Sequence, residues 1–389
     1  MNDNILVIKM SPYNELTSST LRTIAMIKGL IELGYSVDYL TIGETASTTL
    51  NDISQYSFME KVNIIKANNN AVYNNIVRNS SGGVKKIIVG SLRTIYHKTN
   101  VFDNTKKIAQ NIKLNILNEN HYNYIISVSD PKTSHIAASN LISQGLKYDK
   151  WIEYWGDPLV GDITNEAIWP KCILKVYEKK LFSNCDKIVY TSPFTLTEQQ
   201  KLYGYASKKM ELVPTAYIEE KIFEQKNNAN DIFKIGYFGA YYSTVRNIMP
   251  LYDAVSKMDG VQLHIVGDSD LNLEERDNIK VLPRGDISEI ESQMDLLVCI
   301  MNSHGSQIPG KVYHYAATNT PVLVILDGKM RKEIKAYLDT FERYTFSDNS
   351  VENIYKSLVQ LKEKQSSAAP CSKLSPRAVA EKIIVEKLN

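Results

Sequence analysis

Lys311 opens a stretch with helical periodicity directly after the loop Gly305 to Gly310, and Arg246 stands behind Tyr241 and Tyr242 in a loop that follows an apolar run. A loop leading into a helix start offers backbone N–H groups and about half an elementary positive charge to an anion. A lysine and an arginine beside it add full charges, which suits a diphosphate whose negative charge grows as it departs. Outside that use, Lys311 is a solvated first-turn lysine and Arg246 a surface arginine. Arg284, between Pro283 and Gly285 after a further apolar run, either presents backbone groups to a base or makes a plain turn.

The first half of the chain suggests different chemistry. Asp157 follows the run Trp151 to Tyr154 and precedes Pro158, where it acts either as general base toward a hydroxyl or as the cap of a turn. Asp130 and His135 lie just beyond the run Tyr124 to Val128, while Ser18, Ser19 and Arg22 occupy the first loop and helix start. All five are candidate contacts to an acceptor or to phosphates, and the serines are equally suited to capping a helix. The triplet Asp268-Ser269-Asp270 has the spacing of a carboxylate pair for magnesium or manganese. Its place directly after a strand favours a turn, so no metal is expected.

These residues must be positioned by something, and the remaining pattern says what. At 389 residues the chain exceeds one ordinary core, so two domains are expected. With 43% hydrophobic and 23% charged residues it should be globular, and a net charge of +2 from 45 basic and 43 acidic residues argues against a nucleic-acid partner. The four cysteines have neither metal-ligand spacing nor a disulfide pattern. MNDNILVIKM reads as a strand rather than a signal peptide, and no run of about 18 apolar residues occurs, so a cytoplasmic protein is expected.

Ile5 to Lys9, Leu21 to Leu33 and Ser36 to Ile42 read as strand, helix and strand, with Gly34 as helix stop. Further runs at Val62 to Ile65, Tyr124 to Val128, Trp151 to Tyr154 and Lys187 to Tyr190 predict a parallel sheet wrapped by helices. Ile218 to Asp231 interrupts the pattern as a linker, and the alternation restarts with strands from Lys234, Gln262, Ile279, Leu296 and Pro321 and helices from Ile248, Ile287 and Lys311. The expected organisation is α/β: a Rossmann-like domain over 1–217, a linker over 218–231, a second Rossmann-like domain over 232–364, and a segment over 365–389 whose helix, Arg377 to Leu388, packs back on the first. Ligands of such domains sit at the carboxyl ends of the strands. No GxGxxG opens either domain, which argues against a nicotinamide dehydrogenase.

The stretch Pro309-Gly310-Lys311-Val312-Tyr313-His314-Tyr315-Ala316-Ala317-Thr318-Asn319-Thr320-Pro321-Val322 resembles a motif of glycosyltransferase family 4. Lys234 to Asn247, KIGYFGAYYSTVRN, resembles that family's strand and glycine turn, which brings Gly239 and Asn247 beside Arg246 as donor-site candidates. Tyr177 to Thr191 and Trp151 to Pro158 are similar to further family segments, so the likeness covers most of the chain. The resemblance implies a GT-B fold, with two Rossmann-like domains facing across a cleft, and a metal-independent, hexosyltransferase-like enzyme. Three positions depart from the pattern. His314 stands where the family glutamate binds the nucleotide ribose, Asn319 where the family has glycine, and Ser306 where an earlier glutamate is usual.

What the resemblance implies is transfer of a sugar from a nucleotide-sugar donor, bound by the second domain through Gly239, Arg246, Asn247, Arg284, Ser306, Pro309 and Lys311, with no separate cofactor. The acceptor, a saccharide, lipid-linked or other glycoconjugate in surface-polysaccharide or glycan assembly, would meet the first domain. If the transfer inverts the anomeric centre, Asp157 serves as base; if it retains it, the departing phosphate takes the proton. A non-catalytic GT-B subunit and a nucleotide-sugar epimerase are the competing readings. Between Lys85 and Lys113 seven basic residues are interleaved with Ile87, Ile88, Leu92, Ile95, Tyr96 and Phe102, with Asp103 the one acid. That composition suits either a peripheral contact with anionic lipid at the inner membrane face or a solvated helix pair.

Overall fold

The computed structural model describes residues 3–44, 53–67, 99–162, 168–224, 232–364 and 366–385. Two compact units divide the chain, one of residues 1–214 with 376–389 and one of residues 215–375. Each is built on a single parallel sheet.

In the first unit the elements run β1 (Asn4–Pro12), α1 (Ser18–Glu32), β2 (Ser36–Ile42), β3 (Val62–Ala67), α2 (Lys106–Asn111), β4 (His121–Val128), α3 (Thr133–Ser143), β5 (Lys147–Trp155), α4 (Lys171–Leu181), β6 (Lys187–Tyr190), α5 (Pro193–Leu202) and β7 (Met210–Leu212), with α11 (Pro376–Ile384) from the far end of the chain. The sheet order is β3-β2-β1-β4-β5-β6-β7. β1 pairs with β2 through Ile5 beside Val37 and with β4 through Ile5 beside Tyr124. Every residue of β1 after Asn4 is buried, because helices cover both faces of a parallel sheet, and this is why its sequence is apolar apart from Lys9 and Ser11.

The N-cap of α1 is Thr17, whose side chain accepts from the Thr20 N–H. Ser18 and Ser19 therefore lie inside the helix, which settles the capping alternative against them. α11 lies on α1 at Gly29, where an added Cβ would overlap the carbonyl of Pro376. The Arg377 guanidinium donates to the Glu32 carbonyl at the end of α1, and the Lys187 ammonium donates to the carbonyls of Lys382 and Val385 at 3.2 and 3.3 Å.

The second unit runs β8 (Phe233–Phe238), α6 (Met249–Val255), β9 (Val261–Val266), β10 (Ile279–Leu282), α7 (Ser288–Glu291), β11 (Leu296–Ile300), α8 (Lys311–Tyr315), β12 (Val322–Leu326), α9 (Arg331–Asp339), β13 (Thr345–Asp348) and α10 (Val351–Lys364). Its sheet order is β10-β9-β8-β11-β12-β13. β11 and β12 are buried at every position, whereas β13, TFSD, is a partly exposed edge strand whose polar sequence gave no strand signal. Helices α6, α7 and α8 are short, with 7, 4 and 5 residues.

Residues 215–224 belong to the second unit: the Lys221 N–H donates to the Ala317 carbonyl at 2.9 Å, and the Asn319 side chain holds both backbone groups of Phe223 at 2.9 Å. The rest of the expected linker, 225–231, lies outside the described residues, as do Lys85, Lys86, Arg93 and Lys98 and the apolar residues Ile87, Ile88, Leu92, Ile95 and Tyr96 of the basic stretch. Among the described residues no helix is long and apolar enough to cross a membrane.

Candidate functional site

In both sheets the order of strand addition reverses once, between β1 and β4 in the first unit and between β8 and β11 in the second. Beyond the carboxyl ends of the two strands at such a point the connections diverge and leave a crevice. The residues singled out from the sequence gather around these two places.

At the second unit's switch point, Arg246 comes from the loop after β8. Its Nε donates to Asn302 Oδ1, beyond β11, at 2.9 Å, and its Nη1 donates to the Ala240 carbonyl at 3.1 Å. Asn302 in turn donates through Nδ2 to the Gln307 carbonyl at 3.1 Å, so one side chain braces both Arg246 and the loop that leads to Lys311. Lys311 begins α8, with its ammonium 5.7 Å from the Tyr315 ring centroid and its stem near Gly239. Gly239 packs against Gly267, where any Cβ would overlap the Gly239 carbonyl.

Neither cation is neutralised. Arg246 and Lys311 form no ion pair among the described residues, and both are half-buried. Burial lowers the Lys311 pKa, with Glu291 opposing that shift while itself paired with Lys221 at 2.6 Å. The buried thiol of Cys299, at the end of β11, is pushed up to about 11 by burial, and the charges of Arg246 and Lys311 both act on it in the opposite sense. Arg246 thus has neutral hydrogen-bond partners, Lys311 has the Tyr315 ring beside its ammonium, and the charges of both act on Cys299. This favours an anion. The helix contributes little, since α8 spans 5 residues and a single turn carries a weak dipole. The attraction therefore comes from the side chains.

Arg284, after β10, reaches Asp268 at 3.6 Å with both side chains about half exposed, and its charge acts on Lys311 as well. Asp270 accepts from the Ser243 N–H and hydroxyl at 2.8 and 2.6 Å, bracing the loop that carries Arg246. Within the Asp268-Ser269-Asp270 triplet, Asp270 thus holds the Ser243 loop while Asp268 faces Arg284. Among the described residues no group of three or more His, Cys, Asp and Glu side chains is placed to hold a metal.

His314 is half-buried, and burial with the charges of Lys311 and Lys221 lowers its pKa to about 3, so it presents a neutral imidazole. Ser306 and Pro309 are buried within the loop before α8. Asn247 is used otherwise: its Oδ1 accepts from the Met249 N–H at 3.1 Å at the start of α6, and its carbonyl accepts from Asn349 at 2.9 Å.

The first unit's switch point is built differently. Lys9, 1% exposed in the middle of β1, donates to Ser11 Oγ and to the Asp130 carbonyl, each at 2.6 Å. Arg22 donates to the Ser129 carbonyl, and Ser19 Oγ donates to the carbonyls of Asp130 and Ser129 at 2.8 and 3.2 Å. Ser18 is exposed. Lys132 joins two carboxylates, Asp130 at 2.7 Å and Asp162 at 3.4 Å. Burial alone would raise the Asp130 pKa, but Lys132, Arg22 and Lys9 together hold it below the usual carboxylate range.

Asp157 has the opposite balance. Burial, then Asp130 and Asp162, raise its pKa to about 6, and no hydrogen bond holds its carboxylate among the described residues. Such a group accepts a proton near neutral pH. His135 is a core residue instead of a crevice contact: it is 0% exposed, stacked on Trp155 at 4.4 Å, with Nδ1 bonded to Ser127 Oγ at 2.8 Å and its pKa lowered to about 3 by burial.

Sequence reasoning missed Lys9, Lys132, Asp162, Asn302 and Glu178. A lysine inside the run ILVIKM carried a signal, since an unpaired lysine is rarely buried. Glu178 of α4 is 0% exposed and accepts from the Leu159 and Val160 N–H groups and from the Tyr203 hydroxyl, tethering the loop that follows Asp157.

No family model and no curated protein matches the chain. Solved structures do. Sucrose-phosphate synthase from Thermosynechococcus elongatus is similar with a TM-score of 0.54 and 13% identity over 98% of this chain and 94% of that one. HepE of Anabaena, solved with UDP and glucose, gives 0.54 and 10% over 98% and 95%. A glycosyltransferase from Rickettsia africae gives 0.54 and 12% over 98% and 93%. At such identities the likeness is one of fold, and the fold is GT-B, with two parallel-sheet Rossmann-like domains.

Proposed function

We propose that the chain is a glycosyltransferase whose second unit holds a nucleoside diphosphate sugar at the β8/β11 switch point. The observation that carries this reading is the presence of Arg246 and Lys311, two half-buried cations without an ion pair among the described residues, beyond the strand ends, where both charges act on Cys299. The anomeric carbon loses its bond to the phosphate oxygen, the diphosphate leaves with the electron pair, and a new bond forms to the acceptor hydroxyl. Charge builds on the leaving diphosphate, and Arg246 and Lys311 stabilise it there. HepE, solved with UDP, supports a uridine nucleotide as the first donor to test.

The hydroxyl proton goes to Asp157 in an inverting transfer and to the departing phosphate in a retaining one. Family 4 remains the assignment that the Pro309 to Val322 motif supports, with His314 offering the ribose a neutral ring nitrogen in place of a carboxylate. The acceptor in this reading is a saccharide, lipid-linked or other glycoconjugate, met by the first unit through Ser19, Arg22 and Asp130 at a cytoplasmic membrane face. Calorimetry with UDP, GDP and CMP tests the core of the proposal. Binding of one nucleotide that is lost in Lys311→Ala supports it, and no binding heat for any of them sinks it.

A further inference from the structure

Helix α4 turns a row of lysines outward. Lys171, Lys175 and Lys179 follow at four-residue spacing, with Cys172, Val176 and Lys180 on the neighbouring ridge. Lys175 is half-buried and the other five are exposed. Surface helices commonly pair such lysines with glutamates on the same face. Here the one acid of the helix, Glu178, is buried and bound to the backbone of Leu159 and Val160.

Large apolar side chains stand among these charges. Ile168 is 68% exposed, Val176 54%, Tyr205 59% and Trp169 38%. The preceding segment joins the same surface, since Trp169 Nε1 donates to the Thr99 carbonyl at 2.7 Å and the Phe102 ring meets Tyr177 edge-on at 5.6 Å. Lys106 and Lys180 stand over those two rings at 5.5 and 5.8 Å, and Lys179 stands over Tyr205 at 5.3 Å. Asp103, the acid of that segment, hydrogen-bonds to Thr105 and Thr133.

We propose that this face, formed by α4 with Ile168, Trp169, Tyr205 and the segment around Lys106, docks on a bilayer of anionic phospholipid. The lysines match the charge of such a surface, and their apolar stems follow the helix inward. The exposed indole and aliphatic groups decide between polyanions. A bilayer interface takes up exposed Trp, Ile and Val beside the lysines that meet its headgroups, whereas a nucleic acid gains nothing from the aliphatic Ile168 and Val176. The face uses none of the donor-site residues, so vesicle binding and nucleotide binding succeed or fail separately.

The test uses the full chain with vesicles of phosphatidylglycerol in phosphatidylcholine and with phosphatidylcholine alone. The protein should float with the first and stay in solution with the second. Of the 3 tryptophans, Trp151 and Trp155 are buried, so a blue shift of emission and quenching by brominated acyl chains report Trp169. The variant K171Q/K175Q/K179Q should lose about 100-fold in partitioning, at roughly fivefold per lysine. V176D should weaken binding and reduce the blue shift, and both variants should keep the wild-type melting curve and nucleotide affinity. No flotation with anionic vesicles, or a triple variant that floats like wild type, overturns the proposal. So does binding to heparin or RNA with an unmoved Trp169 spectrum on vesicles, which assigns the face to a dissolved polyanion.

Discussion

The two switch points share a geometry and differ in their charge balance. In the first unit Lys9, Arg22 and Lys132 are set among Asp130, Asp157 and Asp162, with Lys9 and Arg22 donating to backbone carbonyls and Lys132 paired with carboxylates. In the second, Arg246 has neutral hydrogen-bond partners, Lys311 has no ion pair among the described residues, and the nearby carboxylates Glu291 and Asp268 are paired with Lys221 and Arg284. A balanced cluster holds proton affinities at set values, as the split between Asp130 and Asp157 shows. An unbalanced one attracts an anion. The proposed proton acceptor therefore lies in the first unit and the proposed diphosphate site in the second.

The sharpest way to break this contrast is at Asp157. In an inverting transfer Asp157→Asn should lower kcat by about 100- to 10,000-fold with nucleotide affinity unchanged. The base works deprotonated and its pKa is raised to about 6, so wild-type kcat/KM should climb as pH rises through 6. The variant should lose that limb. A full-rate variant with the limb intact would assign the proton to the phosphate.

Next come the cations. Lys311→Ala and Arg246→Ala should each weaken nucleotide binding about 10- to 100-fold by calorimetry, as a charge-assisted hydrogen bond contributes roughly 1.5–3 kcal/mol. Lys9→Met should leave that affinity alone and instead destabilise the first unit by about 1–3 kcal/mol in urea, since it leaves the buried Ser11 hydroxyl and Asp130 carbonyl without their donor. Equal nucleotide losses at Lys9 and Lys311 would erase the distinction between the two places. The smallest effect belongs to Asp268→Asn. An exposed pair contributes under about 1 kcal/mol, so nucleotide affinity should shift less than about fivefold.

Much of the architecture was legible because parallel strands covered on both faces must be apolar throughout. Ile5 to Lys9, Leu296 to Ile300 and most of Val322 to Leu326 stood out for this reason. β7 and β13 did not, being short and partly polar, and the front half of β5, KYDK, hides its strand in exposed residues. In the site, Lys311 and Arg246 could be named from type and position. The contact of Arg246 with Asn302 could not, because it joins positions 56 residues apart that only the strand order brings together. His135 misled in the same way, since its place after a strand end is compatible with a crevice and with the packing under Trp155 that it has.

The seat of α11 on α1 at Gly29 has a bearing on synthesis at the ribosome. Residues 215–375 are made before Pro376 appears, so for roughly 10–30 s at ordinary elongation rates α1 of the nascent N-terminal half lacks the helix that covers it at Gly29. Its maturation waits on the arrival of the tail.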